Sequence, residues 1–227
     1  MSSQSDNGSL RLRVSGPLAC FTRPEFKAER LSYQVMTPSA ARGILEAVLW
    51  KPAIVWRVQR IKVLAPIRWI AIRRNEVNNR AATPAAAVVD RGGPAPLFLA
   101  DTSRDQRNTV ALRDVDYVIE ARFEMTPRAG PDDNPAKFVD MFRRRVERGQ
   151  HYHQPYLGCR EFAAEIAAVD EATPRPISVS IDLGMMLHDI IYQQQGNRAL
   201  FFSAKLEEGV LEVPPVTVAA SAAGGNP

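Results

Sequence analysis

The sequence is poor in cysteine and in long apolar runs. Two cysteines, Cys20 and Cys159, stand among 227 residues, too few for a disulfide framework or a cysteine zinc site. We expect both to be free thiols in a reducing compartment. No apolar run approaches the roughly 20 residues that a membrane-spanning helix needs, and the opening MSSQSDNG lacks the apolar core of a signal peptide. The composition therefore predicts a cytoplasmic protein that has no membrane partner.

The chain also lacks the common motifs of nucleotide and metal chemistry. It has no GxxxxGK(S/T) loop, no HExxH pair, no GxSxG elbow and no carboxylate cluster at metal-ligand spacing. These absences argue against nucleotide hydrolysis and against metal-dependent hydrolysis. We predict that the protein uses no metal and no cofactor.

Lysine is scarce, whereas arginine is abundant. Five of the 29 basic residues are lysines and 24 are arginines. The formal net charge is +4, but residues 1–80 hold 14 basic against five acidic side chains, and residues 81–227 hold 15 against 20. Arginine presents a planar fork to phosphate and stacks on bases, so the pattern is compatible with nucleic-acid binding. A GC-rich genome gives the same bias without any function, and that alternative stays open.

The spacing of apolar residues predicts an α+β fold. The β-α-β-β-α-β order is that of a ferredoxin-like, RRM-like domain, with an insertion at about 67–112 that includes a polar loop at 101–109. Short segments with glycine turns predict a small C-terminal antiparallel β-sheet. We expect a ferredoxin-like domain over 1–169 and a small β-sheet domain with a disordered tail over 170–227. The six main elements are strand 9–15 (ended by Gly16-Pro17), helix 38–50, strand 53–64, strand 114–125, helix 134–148 and strand 157–167.

The stretch NPAKFVDMFRRRVERGQHYHQPYLGCREF is the leading functional candidate. Asn134 and Pro135 are a typical N-cap and first residue of a helix, and arginines crowd its last turn, where cations suit the helix dipole. Two of the three histidines follow. This pattern suits an anionic polymer; the alternative is an ordinary amphipathic helix with a solvated face. The candidates are Lys137, Arg143, Arg144, Arg145, Arg148, His151, Tyr152 and His153.

Basic and aromatic residues also interleave near the N-terminus. Strand 9–15 alternates apolar residues with arginines, which predicts a basic outer face. The segment 17–36 mixes cations with aromatic rings, as single-stranded nucleic-acid sites do; a hairpin packed on the core is the equal alternative. The RNA-binding candidates here are Arg11, Arg13, Arg23, Lys27, Arg30 and Tyr33.

Three segments together resemble one family. They are LRVSGPLACFTRPEFKAERLSYQVMTPSAARGILEAVLWKP, RNTVALRDVDYVIEA, and NPAKFVDMFRRRVERGQ followed by PYLGCREF. They look like CRISPR-associated protein of Cas family five, Dvulg subtype (type I-C), a member of the RAMP superfamily. The resemblance covers about residues 10–215. It implies a ferredoxin-like N-terminal domain, a small C-terminal β-sheet, and an endoribonuclease that cuts the CRISPR repeat transcript. It further implies attack by a ribose 2′-OH without a metal, and retention on the crRNA 5′ handle within Cascade.

The resemblance also implies three catalytic positions. The family has a tyrosine just before WKP and a Lys-His pair early in the second helix; here these positions hold Leu49, Lys137 and Phe138. Leucine and phenylalanine transfer no protons, which leaves Lys137 to stabilise charge on the phosphate. His151, Tyr152 and His153 are then the candidates for proton transfer, because histidine titrates near neutrality.

Three interpretations of the function follow. The first is an endoribonuclease that cuts the precursor crRNA repeat hairpin and stays with the other type I-C Cascade subunits. The second is a crRNA-binding structural subunit with weak or no cleavage. The third is a basic domain that holds double-stranded DNA during interference.

Overall fold

The computed structural model describes residues 9–26, 29–77, 83–84, 86–93, 104–191 and 196–215. In these ranges a mostly antiparallel sheet is accompanied by few helices, which confirms the predicted α+β class. None of the helices described is long and apolar enough to cross a membrane. The elements are β1 Leu10–Ala19, β2 Arg30–Leu31, α1 Pro38–Val48, β3 Ile54–Val63, β4 Trp69–Val77, α2 Ala86–Asp90, β5 Arg104–Met125, α3 Pro135–Glu147, β6 Glu165–Ala167, β7 Ile181–Ile191, β8 Arg198–Glu207 and β9 Val210–Glu212.

The sheet is built around β5. Its strand order is β6-β1-β5-β3-β9-β8-β7, and β2 and β4 pair with β5 outside that path. β5 is 22 residues long, and Asp114 within it has a positive φ of 52°. Residues 104–112 pair with β4, and residues 112–125 pair with β1 and β3. One strand therefore links two parts of the sheet.

The two longer helices cover the core. Each buries one apolar stripe, which in α3 consists of Phe138, Phe142 and Val146. Trp56 on β3 packs against them, with its ring centroid 5.0 Å from that of Phe142 and 5.6 Å from that of Phe123. Burying an apolar side chain of this size contributes about 1.5–3 kcal/mol, so these contacts fix α3 on the sheet.

Both longer helices begin where the sequence predicts. The Thr37 hydroxyl accepts a hydrogen bond from the Ala40 N–H at 3.3 Å, and the Asn134 side-chain oxygen accepts one from the Lys137 N–H at 2.9 Å. Each cap satisfies a backbone donor that has no partner within its helix. The cap of α3 thereby fixes the backbone that carries Lys137.

Several predicted boundaries are wrong. The first strand continues through Gly16-Pro17 to Ala19, because residues on both sides of Pro17 keep their pairing with β5. Residues 104–109 are strand rather than polar loop, because β4 supplies them with hydrogen-bonding partners. The strand expected over 157–167 begins only at Glu165, and the residues before it form turns around Gly158, which has a φ of 85°.

The C-terminal strands are antiparallel to one another, but they do not form a separate sheet. β9 pairs with β3, so β7, β8 and β9 continue the main sheet. The Leu187 N–H also donates to the Tyr33 hydroxyl at 3.2 Å, which ties β7 to the N-terminal part. A division into two domains at residue 170 stays a prediction, and the tail predicted to be disordered, SAAGGNP at 221–227, lies outside the described residues.

Candidate cleavage and RNA-binding site

Lys137 lies exposed in the first turn of α3. Its Nζ is 2.9 Å from Asp133 Oδ1. Lys51 and Arg128 line the same shallow cleft; both are exposed and neither forms an ion pair with a described residue. We define these residues, Lys51, Arg128, Asp133 and Lys137, as the Lys137 cleft. Three cations against one carboxylate make it attractive to a phosphate group.

Asp133 is the counter-ion of this cleft. Hydrogen bonds from Lys137 and from the Gly130 N–H, with further attraction by Lys51, hold the pKa of Asp133 below its ordinary value. The carboxylate is therefore ionised at neutral pH. It restrains the Lys137 ammonium beside the cleft without cancelling the positive charge of Lys51 and Arg128.

Leu49 and Phe138, which stand where the resemblance places a tyrosine and a histidine, are core residues. The Leu49 side chain is buried, and its carbonyl oxygen accepts a hydrogen bond from Trp56 Nε1 at 2.9 Å. The Phe138 ring is buried against the Phe123 ring, edge to face, with centroids 6.1 Å apart. Both side chains serve packing, and neither has a proton to transfer.

The His-Tyr-His loop lies at the opposite end of α3. The side chains of His151, Tyr152 and His153 are exposed, and the Tyr152 N–H donates to the Ala47 carbonyl at 2.8 Å. From Lys137 to the end of α3 the helix rises about 15 Å at 1.5 Å per residue. The structure therefore does not bring Lys137 together with the two histidines around one phosphate.

The predicted arginine cluster forms an exposed surface on α3. Arg143, Arg144 and Arg148 are exposed, whereas Arg145 is partly covered and its Nη1 donates to the Val48 carbonyl at 2.5 Å. Arg143 and Arg11 line one cleft between α3 and β1. The structure thus brings the arginine cluster and one end of the basic N-terminal strand together.

Two other predicted RNA contacts are occupied by carboxylates of the protein. Arg13 makes a bidentate pair with Asp116, with N–O distances of 3.1 and 2.7 Å. Arg30 lies 3.1 Å from a carboxylate oxygen of Glu76 and 2.7 Å from one of Glu161. A phosphate would have to compete with these pairs, so the basic surface is interrupted at Arg13 and Arg30.

The prediction that Tyr33 stacks on RNA is wrong. Its ring is 1% exposed, because the segment after β2 packs on the core. Arg23 lies over this ring, 4.6 Å from its centroid, and 3.6 Å from a Glu25 oxygen. Lys27, the remaining predicted contact, lies outside the described residues.

Reasoning from sequence missed Lys51 and Arg128. Lys51 belongs to the WKP motif, and it lines the same cleft as Lys137 because the turn after α1 runs beside the first turn of α3. Motif adjacency gave a signal for Lys51, whereas nothing in the sequence spacing indicates Arg128. Among the residues described, no group of three His, Cys, Asp or Glu side chains is placed to hold a metal ion.

Comparison with known proteins points to one family. The family model described as CRISPR-associated protein (Cas_Cas5) matches residues 9–214. A relative from Mannheimia succiniciproducens is 47% identical over 214 residues, covering 91% of this chain and 95% of the relative. A relative from Thermus thermophilus is 41% identical over 223 residues, covering 90% and 91%. Both relatives are named CRISPR pre-crRNA endoribonuclease Cas5d.

Two solved structures share the fold. A CRISPR-associated protein superimposes with a TM-score of 0.65 at 24% identity, covering 90% of each chain. A functionally uncharacterized protein, SMU1763c from Streptococcus mutans, superimposes with a TM-score of 0.65 at 21% identity, covering 91% of this chain and 92% of that one. At these identities the likeness extends to the fold alone.

Proposed function

The chain belongs to the CRISPR-associated Cas5 family, and from that premise we propose that it is an endoribonuclease that cuts precursor crRNA repeats. One observation carries the proposal: two relatives at 47% and 41% identity, matched over about nine-tenths of the chain, are named pre-crRNA endoribonucleases. The Lys137 cleft offers that activity an exposed, cationic place on the surface.

Cleavage in this proposal uses the 2′-OH of the substrate. The 2′ oxygen loses its proton and attacks the adjacent phosphorus, while the bond from phosphorus to the 5′ oxygen breaks and that oxygen gains a proton. The products are a cyclic phosphate and a free 5′-OH. Negative charge on the phosphate grows in the transition state, where Lys137, Lys51 and Arg128 stabilise it.

The source of proton transfer sets the rate. The buried side chains of Leu49 and Phe138 supply none, and the histidines lie at the far end of α3. We propose that water carries both protons at the Lys137 cleft, so the enzyme lacks the 10²–10⁴-fold that a positioned acid or base typically contributes. A slow nuclease is the expected result.

The test is single-turnover cleavage of the repeat hairpin. Cutting should persist in EDTA and should stop when a 2′-deoxy residue replaces the nucleotide at the cut site. A Lys205→Ala variant, which removes an exposed lysine of β8, serves as a matched control and should cut normally. Loss of cutting in EDTA, or full cutting of the deoxy substrate, contradicts the mechanism.

A second candidate function rests on the same two apolar residues. Because Leu49 and Phe138 have no proton to transfer, the chain would also suit a crRNA-binding subunit that scarcely cuts. Co-purification of bound crRNA without cleavage of the repeat would favour the second candidate.

We further propose that β6-β1-β5-β3 with α1 and α3 form a ferredoxin-like unit, and that the protein stays on the crRNA 5′ handle with the other Cascade subunits. Binding of double-stranded DNA stays a prediction.

A further inference from the structure

We propose that Trp50 and Tyr152 form a stacking platform for the bases of single-stranded RNA at the end of α1, an inference that rests on the proposed function. These two rings are 59% and 83% exposed. The large aromatic rings of β3 and α3, which are Trp56, Phe138 and Phe142, are buried. Single exposed apolar residues are ordinary on a protein surface, whereas two exposed rings that are attached to one helix end among cations indicate a site.

Both aromatic residues are attached to the end of α1. The Ala47 carbonyl accepts a hydrogen bond from the Tyr152 N–H at 2.8 Å, which holds the His-Tyr-His loop against the helix. Trp50 follows Ala47 by three peptide units, so the Cα atoms of Trp50 and Ala47 lie within about 11 Å of each other. One helix end therefore carries both rings.

The backbone that carries Trp50 is held on both sides. The preceding Leu49 is buried and its carbonyl oxygen accepts from Trp56 Nε1 at 2.9 Å. The carbonyl oxygen of the following Lys51 accepts from the Ile54 N–H at 3.2 Å. A fixed backbone leaves less conformational entropy to be lost on binding, so the backbone that carries the indole is preorganised for a ligand.

Charge identifies the occupant as a polyanion. Lys51, directly after Trp50, lines the Lys137 cleft, and Arg145 contacts the Val48 carbonyl on the other side. Residues 135–148 carry five cations against two carboxylates. Aromatic rings set between cations are the combination that single-stranded nucleic acids use, because bases stack while the backbone follows the charges. A protein partner with an apolar surface would not need this density of cations.

Tryptophan fluorescence can test the platform directly. The chain has three tryptophans: Trp56 is 2% exposed, and Trp69, on β4, is 44% exposed. A Trp69→Phe variant therefore leaves Trp50 as the one exposed indole of the three, with Trp56 buried. Repeat RNA with a 2′-deoxy residue at the cut site should quench the emission of Trp69→Phe, and the quenching should be lost in the Trp50→Phe Trp69→Phe protein.

Affinity for the same RNA gives a second readout. Trp50→Ala and Tyr152→Ala should each weaken binding about 5- to 150-fold, the range expected when one stacked base is lost. Trp50→Phe and Tyr152→Phe should keep most of the affinity, because a ring remains. Tyr152→Phe also separates stacking from proton transfer by the hydroxyl. Trp69→Ala is the matched control and should bind normally.

Equal quenching with and without Trp50, or normal affinity in both alanine variants, overturns the platform. If those alanine variants bind normally while the wild type cuts the repeat, the platform is rejected and the nuclease stands. If RNA quenches Trp50 but nothing is cut, the platform stands and the nuclease is rejected. An apolar protein partner that binds through Trp50 while RNA leaves the emission unchanged also overturns the inference.

Discussion

A single exposed ammonium group, that of Lys137, carries much of the proposed chemistry. In the proposed function its restraint by Asp133 places it for one phosphate, and we expect the arginines of α3 to hold the rest of the RNA. We expect Lys137→Ala to slow single-turnover cleavage by about 10²–10³-fold, the effect typical of one lost electrostatic donor, with little change in RNA affinity. Filter binding and single-turnover kinetics on the same RNA measure both. A large loss of affinity with a normal rate would assign Lys137 to binding.

Two buried residues decide whether the missing acid and base can be restored. Leu49→Tyr with Phe138→His should raise the single-turnover rate, but by less than the 10²–10⁴-fold of a well-placed pair, because the supporting groups are absent. The same change should lower the free energy of unfolding, since it places polar atoms in an apolar core. Kinetics and urea denaturation measure the two effects.

Proton transfer by the His-Tyr-His loop is the alternative, and it predicts the opposite result in the same assay. If His151 or His153 transfers the proton, His151→Ala or His153→Ala should abolish cutting and the double restoration should change little. We expect these two alanine variants to keep most of the rate, because α3 separates the loop from the Lys137 cleft.

The two thiols predict a pH dependence of stability. Both cysteines are free and buried. A hydrogen bond from Cys20, with help from Thr22 and Arg30, lowers the pKa of Cys159 to about 6. A group with a lowered folded pKa stabilises the protein above its unfolded pKa and loses that contribution as pH falls through the folded pKa. The free energy of unfolding should therefore rise between about pH 6 and pH 9, by at most about 1.4 kcal/mol per pH unit for one proton.

The control for this prediction is Cys159→Ala, which should reduce the rise of the unfolding free energy with pH. Urea denaturation at several pH values measures that free energy. The pKa of Cys20 is raised by its bond to Cys159 and by burial. Cys20 therefore keeps its proton in the folded state and opposes the gain at higher pH, where the unfolded thiol ionises. A wild-type curve that is flat from pH 6 to pH 9 contradicts the assignment.

At the scale of elements, one glycine joins the turn after residue 157 to the end of β1. Gly158 has a φ of 85°, and a Cβ there would lie 2.7 Å from the Cys20 carbonyl carbon. Gly149, at the end of α3, has a φ of 60° but nothing within 4 Å of a Cβ. Gly149→Ala should lower the free energy of unfolding by about 1–2 kcal/mol, which is the cost of a left-handed backbone conformation for a residue with a Cβ. Gly158→Ala should cost more, since backbone must also move. Equal melting temperatures would contradict this account.

Local sequence patterns predicted where the helices and strands lie better than they predicted which residues pair across the sheet. Apolar spacing and capping residues gave the starts of α1 and α3, because those signals lie within a few residues. Alternation of apolar and polar residues along 114–125 predicts that Glu120 lies on the polar face of β5. That residue is nevertheless buried, with Arg60 Nε at 2.6 Å and Lys62 Nζ at 2.5 Å. Such cross-strand pairing depends on register, which the sequence of one strand does not contain.

The same limit applies to the candidate site. Lys137 could be predicted from the resemblance and from its place at a helix start. The grouping of Lys51 and Arg128 around it required three separate turns to meet. Tyr33 was misassigned because aromatic residues near cations look alike in sequence whether their rings face solvent or core.

At the scale of the whole molecule, the surface charge predicts a salt-dependent affinity for RNA. If about five phosphates are neutralised, the log–log salt slope for single-stranded RNA should be roughly −3.5. Arg144→Ala with Arg145→Ala should weaken binding and flatten the slope by at most about 1.4, the value for two phosphate contacts at about 0.7 each, because Arg145 also donates to the Val48 carbonyl. Fluorescence anisotropy at several salt concentrations measures the slope. Arg113→Ala, at the bend of β5, is the control, and a mutant with an unchanged slope would contradict this surface.

The long β5 strand has a consequence for synthesis of the chain. β1 ends at Ala19, yet its main partner begins at Arg104. Chains are synthesised at about 5–20 residues per second, so the synthesis of β1 is complete on the order of 4–20 s before that of β5. During that interval both its edges are unpaired, which is the state in which strands aggregate. Arg11 and Arg13 place charge on this unpaired strand, and charged side chains disfavour pairing between chains. We therefore expect the two arginines to protect the nascent chain from aggregation.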